Sequence, residues 1–141
     1  MSGTNLALSI RQPWAELILL GRKTLELRTW ITDYRGPLWL HTGKAEDPEL
    51  DRLFGLSDLP RGAFVGRFDL TDVAPLDPGR WERWRDQHRD SGPYIPGTFA
   101  WVIEGAERLP EPVPASGKLK VYEVDDDVVR TLRAALPART G

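Results

Sequence analysis

Lys23, Thr24, Glu26, Arg28 and Trp30 all fall in GRKTLELRTW, residues 21–30. They offer an amine, a hydroxyl, a carboxylate, a guanidinium and an indole. Leu25 and Leu27 alternate with them, and strand residues at i, i+2 and i+4 share a face. The pattern predicts Leu25 and Leu27 turned toward a core, with Thr24, Glu26, Arg28 and Trp30 on the opposite face. As the wall of a cleft, that face suits a nucleobase. Glu26 can accept from an amino edge, Arg28 is a planar fork for phosphate or for Glu26, and Trp30 can stack. As open surface, the same face reduces to a Glu26–Arg28 ion pair worth about 0–1 kcal/mol. A tryptophan on that face favours the cleft.

Lys23 could act as a base or nucleophile only if burial or nearby cations depress its pKa. Glu26 would push that pKa up. Strict alternation also places Lys23 and Glu26 on opposite faces, unless Lys23 belongs to the turn entering the strand. If the protein is an enzyme, Lys23, Thr24 and Glu26 are the catalytic candidates. If it only binds, Lys23 contacts phosphate. Arg11, Arg22, Lys44, Arg67, Lys118 and Lys120 could add local positive potential. Lys44 leads this group because it follows Gly43 at a strand end, where backbone N–H groups can also face an anion. Trp14, at a helix start, and His41 complete the candidate ligand-binding set.

These residues need elements to hold them. LALSI, residues 6–10, reads as a short strand. In RQPWAELILLG, Pro13 suits a helix start, Trp14, Leu17 and Ile18 share a helical face, and Gly21 is a stop. Tyr34-Arg35-Gly36-Pro37 reads as a turn before the strand LWLHTGK. Asp47-Pro48 starts a short helix reaching about Leu53. AFVGRFDLTDV, residues 63–73, is the longest strand candidate, and Gly66 within it marks a bulge, a bend or a close backbone approach. The Pro- and Gly-rich excursion over 75–97 places Trp81, Trp84 and His88 on one helical face, a stripe that packs the segment down or forms a lid. TFAWVIEG and GKLKVYEV read as closing strands, with Pro110, Pro112 and Pro114 stiffening the connection between them. A last helix over about 126–136 follows Asp125. Trp39 and Trp101 are expected in the core. The elements predict one domain over 1–141: a small, mostly antiparallel, partly closed β-barrel flanked by short helices.

The totals set limits. The chain has 141 residues, 40% hydrophobic and 28% charged, with a net charge of −2. That balance argues against bulk electrostatic binding to long duplexes. There are no cysteines, which excludes disulfides and thiolate zinc sites. Two histidines, His41 and His88, give little metal signal. No P-loop, dinucleotide fingerprint or G-x-S-x-G is present. No cofactor or metal is expected. No apolar run nears the ~20 residues of a membrane span, and Met-Ser-Gly-Thr-Asn lacks leader features. A cytoplasmic location is therefore expected.

LSIRQPWAELILLGRKTLELRTW followed by YRGPLWLHTGK, and later FAWVIEG and PVPASGKLKVYEV, resembles the ASCH domain family (activating signal cointegrator homology), over roughly residues 6–124. The resemblance implies a PUA-like barrel with a cleft beside the first helix and the Lys23–Arg28 strand. It implies RNA, single-stranded nucleic acid or a nucleotide carrying a modified base as ligand. Some branches of the family are enzymes. One is an amidohydrolase acting on acetylated cytidine through a Lys–Thr–Glu set, and another is described as a ribonuclease. In the amidohydrolase branch the Thr lies three residues after the Lys. Here that position is Glu26, and Thr24 directly follows Lys23. A binding module, a small hydrolase and a protein-interaction domain are the readings carried forward.

Overall fold

The structure is a computed structural model that describes residues 5–137; the opening Met-Ser-Gly-Thr, read above for a leader, lies outside the described residues. The elements run β1 (Leu6–Ser9), α1 (Trp14–Leu19), β2 (Leu25–Arg28), β3 (Gly36–Thr42), α2 (Pro48–Leu53), β4 (Ala63–Pro75), α3 (Pro78–Arg83), α4 (Arg85–His88), β5 (Phe99–Pro114), β6 (Val121–Glu123) and α5 (Asp126–Ala135). No helix among the described residues is long and apolar enough to cross a membrane.

The strands form one six-stranded sheet in the order β2-β5-β4-β3-β1-β6. All pairings are antiparallel except β1 with β3. That pair is parallel because α1 and β2 carry the chain across between them, as a parallel connection requires. The backbone ladder does not close, so the expected partly closed barrel is present only as a curled open sheet with short helices. The edge strand β2 has only four residues and leaves the sheet after Arg28. Three strands separate β2 from β1 in the sheet order, yet Arg28 Nη2 donates to the Ser9 carbonyl at 2.8 Å. The sheet therefore curls until one side chain bridges the remaining gap.

Helix α1 buries Ala15, Leu17 and Ile18 against the sheet and ends where Gly21 turns to φ +74°. The Leu17 carbonyl accepts from both Arg22 N and Lys23 N, at 2.9 and 3.1 Å. This tight turn precedes β2 and sets the direction of Lys23. At Gly66 a register shift divides β4. A Cβ there would lie 2.3 Å from the Glu107 carbonyl oxygen and 2.6 Å from Leu19 Cδ2. The glycine thus marks both a bulge and a close approach.

Other sequence expectations change. Pro110, Pro112 and Pro114 lie within β5, not in a connection. β5 pairs with β2 only through Phe99–Val102, and between Arg108 and Val113 its register against β4 slips around Val65. Proline is tolerated on such an edge and at bulges because its missing N–H breaks no ladder bond. The excursion forms two short helices broken at Trp84, and both Trp81 and His88 are fully buried. Of GKLKVYEV only Val121–Glu123 pairs. Arg67, expected to contribute surface potential, is buried. It bonds Glu107 at 2.9 Å and donates to the carbonyls of Leu136 and Pro137, each at 3.2 Å, fastening the end of α5 to the sheet. Trp39 and Trp101 are in the core as expected.

Candidate functional site

A cavity of about 270 Å³ opens at the curl of the sheet. Its walls come from Ser9 at the end of β1 and Arg11 just beyond it, Trp14 of α1, Lys23 and the β2 residues Glu26, Leu27 and Arg28, and His88 and Asp90 at the end of α4. Five of the sequence candidates meet here: Arg11, Trp14, Lys23, Glu26 and Arg28.

Lys23 and Glu26 lie on the same wall because Lys23 precedes the strand and escapes its alternation. The Lys23 amine is 3% exposed and donates to the His88 carbonyl at 2.7 Å. It lies 3.6 Å from Glu26 Oε1 and 4.8 Å from the Trp14 ring centroid. Desolvation by burial lowers the Lys23 pKa, and Glu26, which favours the charged amine, does not offset it. Glu26 does push the pKa up, as expected, but the nearly complete removal of water outweighs it.

Glu26 is itself buried. Its Oε2 accepts from Arg28 Nε at 3.1 Å. Arg28 spends a second nitrogen on Ser9, as above, while Nη1 has no partner among the described residues. The Arg11 side chain is exposed at the rim. Charges of both signs thus converge on a small, partly dry space, where each hydrogen bond counts for more than in water.

His88 anchors the far wall. Its Nε2 bonds the Trp81 carbonyl at 2.9 Å, and its Nδ1 accepts from Asp90 N at 3.0 Å. These two bonds fit the neutral ring with the proton on Nε2, and burial lowers the His88 pKa accordingly. The ring fixes the backbone that offers Lys23 its acceptor. Arg89 adopts φ +67°, which swings Asp90 back toward the cavity.

The remaining candidates lie elsewhere. Thr24 is exposed and does not line the cavity; its backbone bonds Gln87 and Ile103. His41 is buried behind Ser9, bonding Ser9 Oγ and the Ala115 carbonyl, each at 2.8 Å, and burial lowers its pKa. Lys44 is exposed beyond β3, its stem close to Gly62. Trp30 follows the end of β2, so strand alternation no longer governs it. It packs edge-on against Trp101 at 4.7 Å and lines a second cavity. Sequence reading missed Ser9, Leu27, His88 and Asp90. The site uses the backbone carbonyls of Ser9 and His88 as hydrogen-bond acceptors, and no residue type announces a carbonyl.

An open six-stranded sheet flanked by short helices, with this polar cavity beside the first helix, defines a PUA-like α/β domain. The chain belongs to the ASCH domain family, whose model matches residues 8–112. The family is generally linked to RNA binding. The chain is 28% identical over 135 aligned positions to activating signal cointegrator 1 of Mus musculus, and 27% identical over 135 to that of Homo sapiens. Each match covers 86% of this chain and 22% of the relative, so the chain spans about a fifth of their length. The crystal structure of ASCH from Zymomonas mobilis superposes with a TM-score of 0.66 at 15% identity, covering 92% of this chain and 93% of that one. A point mutant of the same protein gives 0.63 at 13% identity, covering 95% and 98%. These likenesses establish the fold.

Proposed function

We propose that the cavity holds one unpaired base or nucleotide of RNA. The observation that carries this reading is the buried Glu26 carboxylate, held by Arg28 on one side and Lys23 on the other beneath an indole wall. A carboxylate so fixed accepts from the amino edge of a base. Trp14 supplies a flat apolar surface for the ring. The volume of about 270 Å³ lies just below the roughly 300–1,000 Å³ of sites for drug-sized ligands, which suits a single base. Arg11 and the unpartnered Nη1 of Arg28 are available to a phosphate. The family link supports RNA as the source of that base.

The test is a titration of nucleosides, nucleotides and short single-stranded RNA into wild type and Glu26→Gln. The variant should weaken binding by about 1–3 kcal/mol, the worth of a charge-assisted bond in a buried setting. No binding by wild type at high micromolar concentration would overturn the reading and favour a protein partner.

One observation favours a hydrolase reading. A lysine in a cavity wall with a burial-lowered pKa is suited to act as base or nucleophile. Against it, Thr24 lies outside the cavity, and Glu26 stands where the amidohydrolase branch has its catalytic threonine. Incubation with acetylated cytidine and with RNA decides between the two. Product from wild type and none from folded Lys23→Ala would establish turnover.

A further inference from the structure

We infer that the site takes two consecutive nucleotides, with a second subsite beyond Arg28 that stacks the neighbouring base on Trp30. This rests on the base-binding reading above and extends it to the length of the ligand. A second cavity, about 350 Å³, shares Leu27, Arg28 and Asp90 with the first and continues along Trp30 to Ile95 and Thr98. The two spaces are therefore neighbours across one wall, which suits two bases joined by one phosphodiester.

The shared wall has the chemistry such a linkage needs. Arg28 faces both cavities and has Nη1 without a partner among the described residues, in reach of a phosphate passing over it. Asp90 also faces both; its Oδ1 accepts from Gly92 N at 2.7 Å, and its other oxygen has no partner among the described residues. A carboxylate there repels phosphate but accepts from a ribose hydroxyl, the group that separates RNA from DNA. Arg28 and Asp90 together fit a sugar–phosphate unit better than either fits a base.

Beyond the wall the surroundings suit stacking. Trp30 is half-buried and braced edge-on by Trp101, so its ring is fixed before a ligand arrives. Lys120 Nζ and the Arg28 guanidinium already lie over this ring, 5.5 and 6.0 Å from its centroid, and a stacking base would take the place of one of these cations. Ile95 is 53% exposed, an apolar side chain in the lining with no core to fill.

The experiment compares wild type with Trp30→Ala, Trp30→Phe and Ile95→Asp, each checked for folding by circular dichroism. Each is titrated calorimetrically with a nucleoside 3′-monophosphate and with the corresponding ribodinucleotide. The dinucleotide carries less charge than the monophosphate, so tighter binding does not come from phosphate number. Wild type should bind the dinucleotide at least about fivefold tighter, the low end for stacking one base on an aromatic ring. That ratio should fall toward one in Trp30→Ala and Ile95→Asp, and Trp30→Phe should retain most of it. If Trp30→Ala does not fold, Ile95→Asp decides. Equal affinities in wild type, or a ratio untouched by Ile95→Asp, would overturn the second subsite while leaving the first. No binding of either ligand by wild type would overturn both.

Discussion

The Lys23 amine and the His88 carbonyl are 65 residues apart in sequence and 2.7 Å apart in space. With Thr24 N to Gln87 O at 3.0 Å and Arg89 Nε to Arg22 O at 2.8 Å, this bond joins the turn before β2 to the end of the α3–α4 excursion. It explains why a segment that reads as lid or packing stripe is part of the cavity wall. Removing the amine leaves the carbonyl and Glu26 without it in a buried place. Lys23→Ala should therefore cost about 1–3 kcal/mol of stability, read as a lower urea midpoint with an unchanged slope. A variant as stable as wild type would show that water satisfies both groups.

Lys23 also gives stability a pH signature. Burial holds its folded pKa below 10.5, the ordinary value of a lysine. Between the two values the unfolded chain holds a proton that the folded chain has lost, so stability rises with pH across that window. The gain should appear on the alkaline side and end near 10.5. Lys23→Met lacks it. The difference in urea midpoint between wild type and Lys23→Met should move in favour of wild type as pH climbs toward 10.5. A constant difference would contradict the burial effect.

His88 acts at the other end of the scale, together with His41. Both have folded pKa values lowered from 6.5 by burial. Below 6.5 the unfolded chain takes up protons first, so stability present above that pH is lost as pH falls toward the folded values. Thermal midpoints should drop between pH 7 and 5, and His88→Asn should flatten part of the drop. A wild-type midpoint that stays level on acidification would refute the assignment of neutral rings.

Gly66 should tolerate no side chain. The Cβ of an alanine would approach the Glu107 carbonyl to 2.3 Å, and a backbone oxygen in a ladder has little room to yield. Gly66→Ala should lose about 1–3 kcal/mol, the usual cost of overpacking. Calorimetric unfolding measures it, and a neutral substitution would mean that the bulge shifts freely.

Binding to single-stranded RNA should depend only weakly on salt. Arg11 and Arg28 Nη1 belong to the cavity walls, and Lys120 lies over the Trp30 ring. At about −0.7 per neutralised phosphate, a few such contacts give a log–log slope no steeper than roughly −3. Anisotropy titrations at several salt concentrations test this, and a steeper slope would mean a wider basic footprint than these residues supply.

Local pattern made much of this molecule legible before the fold was seen. Leucine alternation located β2, and Pro13 and Gly21 bracketed α1. Lys23, Glu26 and Arg28 could be grouped because they are near in sequence and their side chains carry the chemistry. Thr24 and Trp30 were misplaced because alternation was extended past the ends of a strand only four residues long. His88, Asp90 and Ser9 were hidden for another reason. His88 and Asp90 reach the wall only after the excursion folds back, and His88 and Ser9 contribute carbonyls common to every residue. The open edge of the sheet was equally invisible, since whether β2 meets β1 depends on how far it runs before Thr29.

The Arg28–Ser9 bond has a further consequence. Where other strands are laced by ladders, β2 and β1 meet at a seam that, among the described residues, is held by one side-chain stitch. Such an edge opens more easily than the ladders do, and its amides should be among the faster to exchange with solvent in the sheet. A molecule filling the cavity touches Arg11 and Trp14 on one side of the seam and Glu26 and Arg28 on the other. It becomes a second stitch, so occupancy of the cavity registers as slowed deuterium uptake along β2, whatever the chemistry of the occupant.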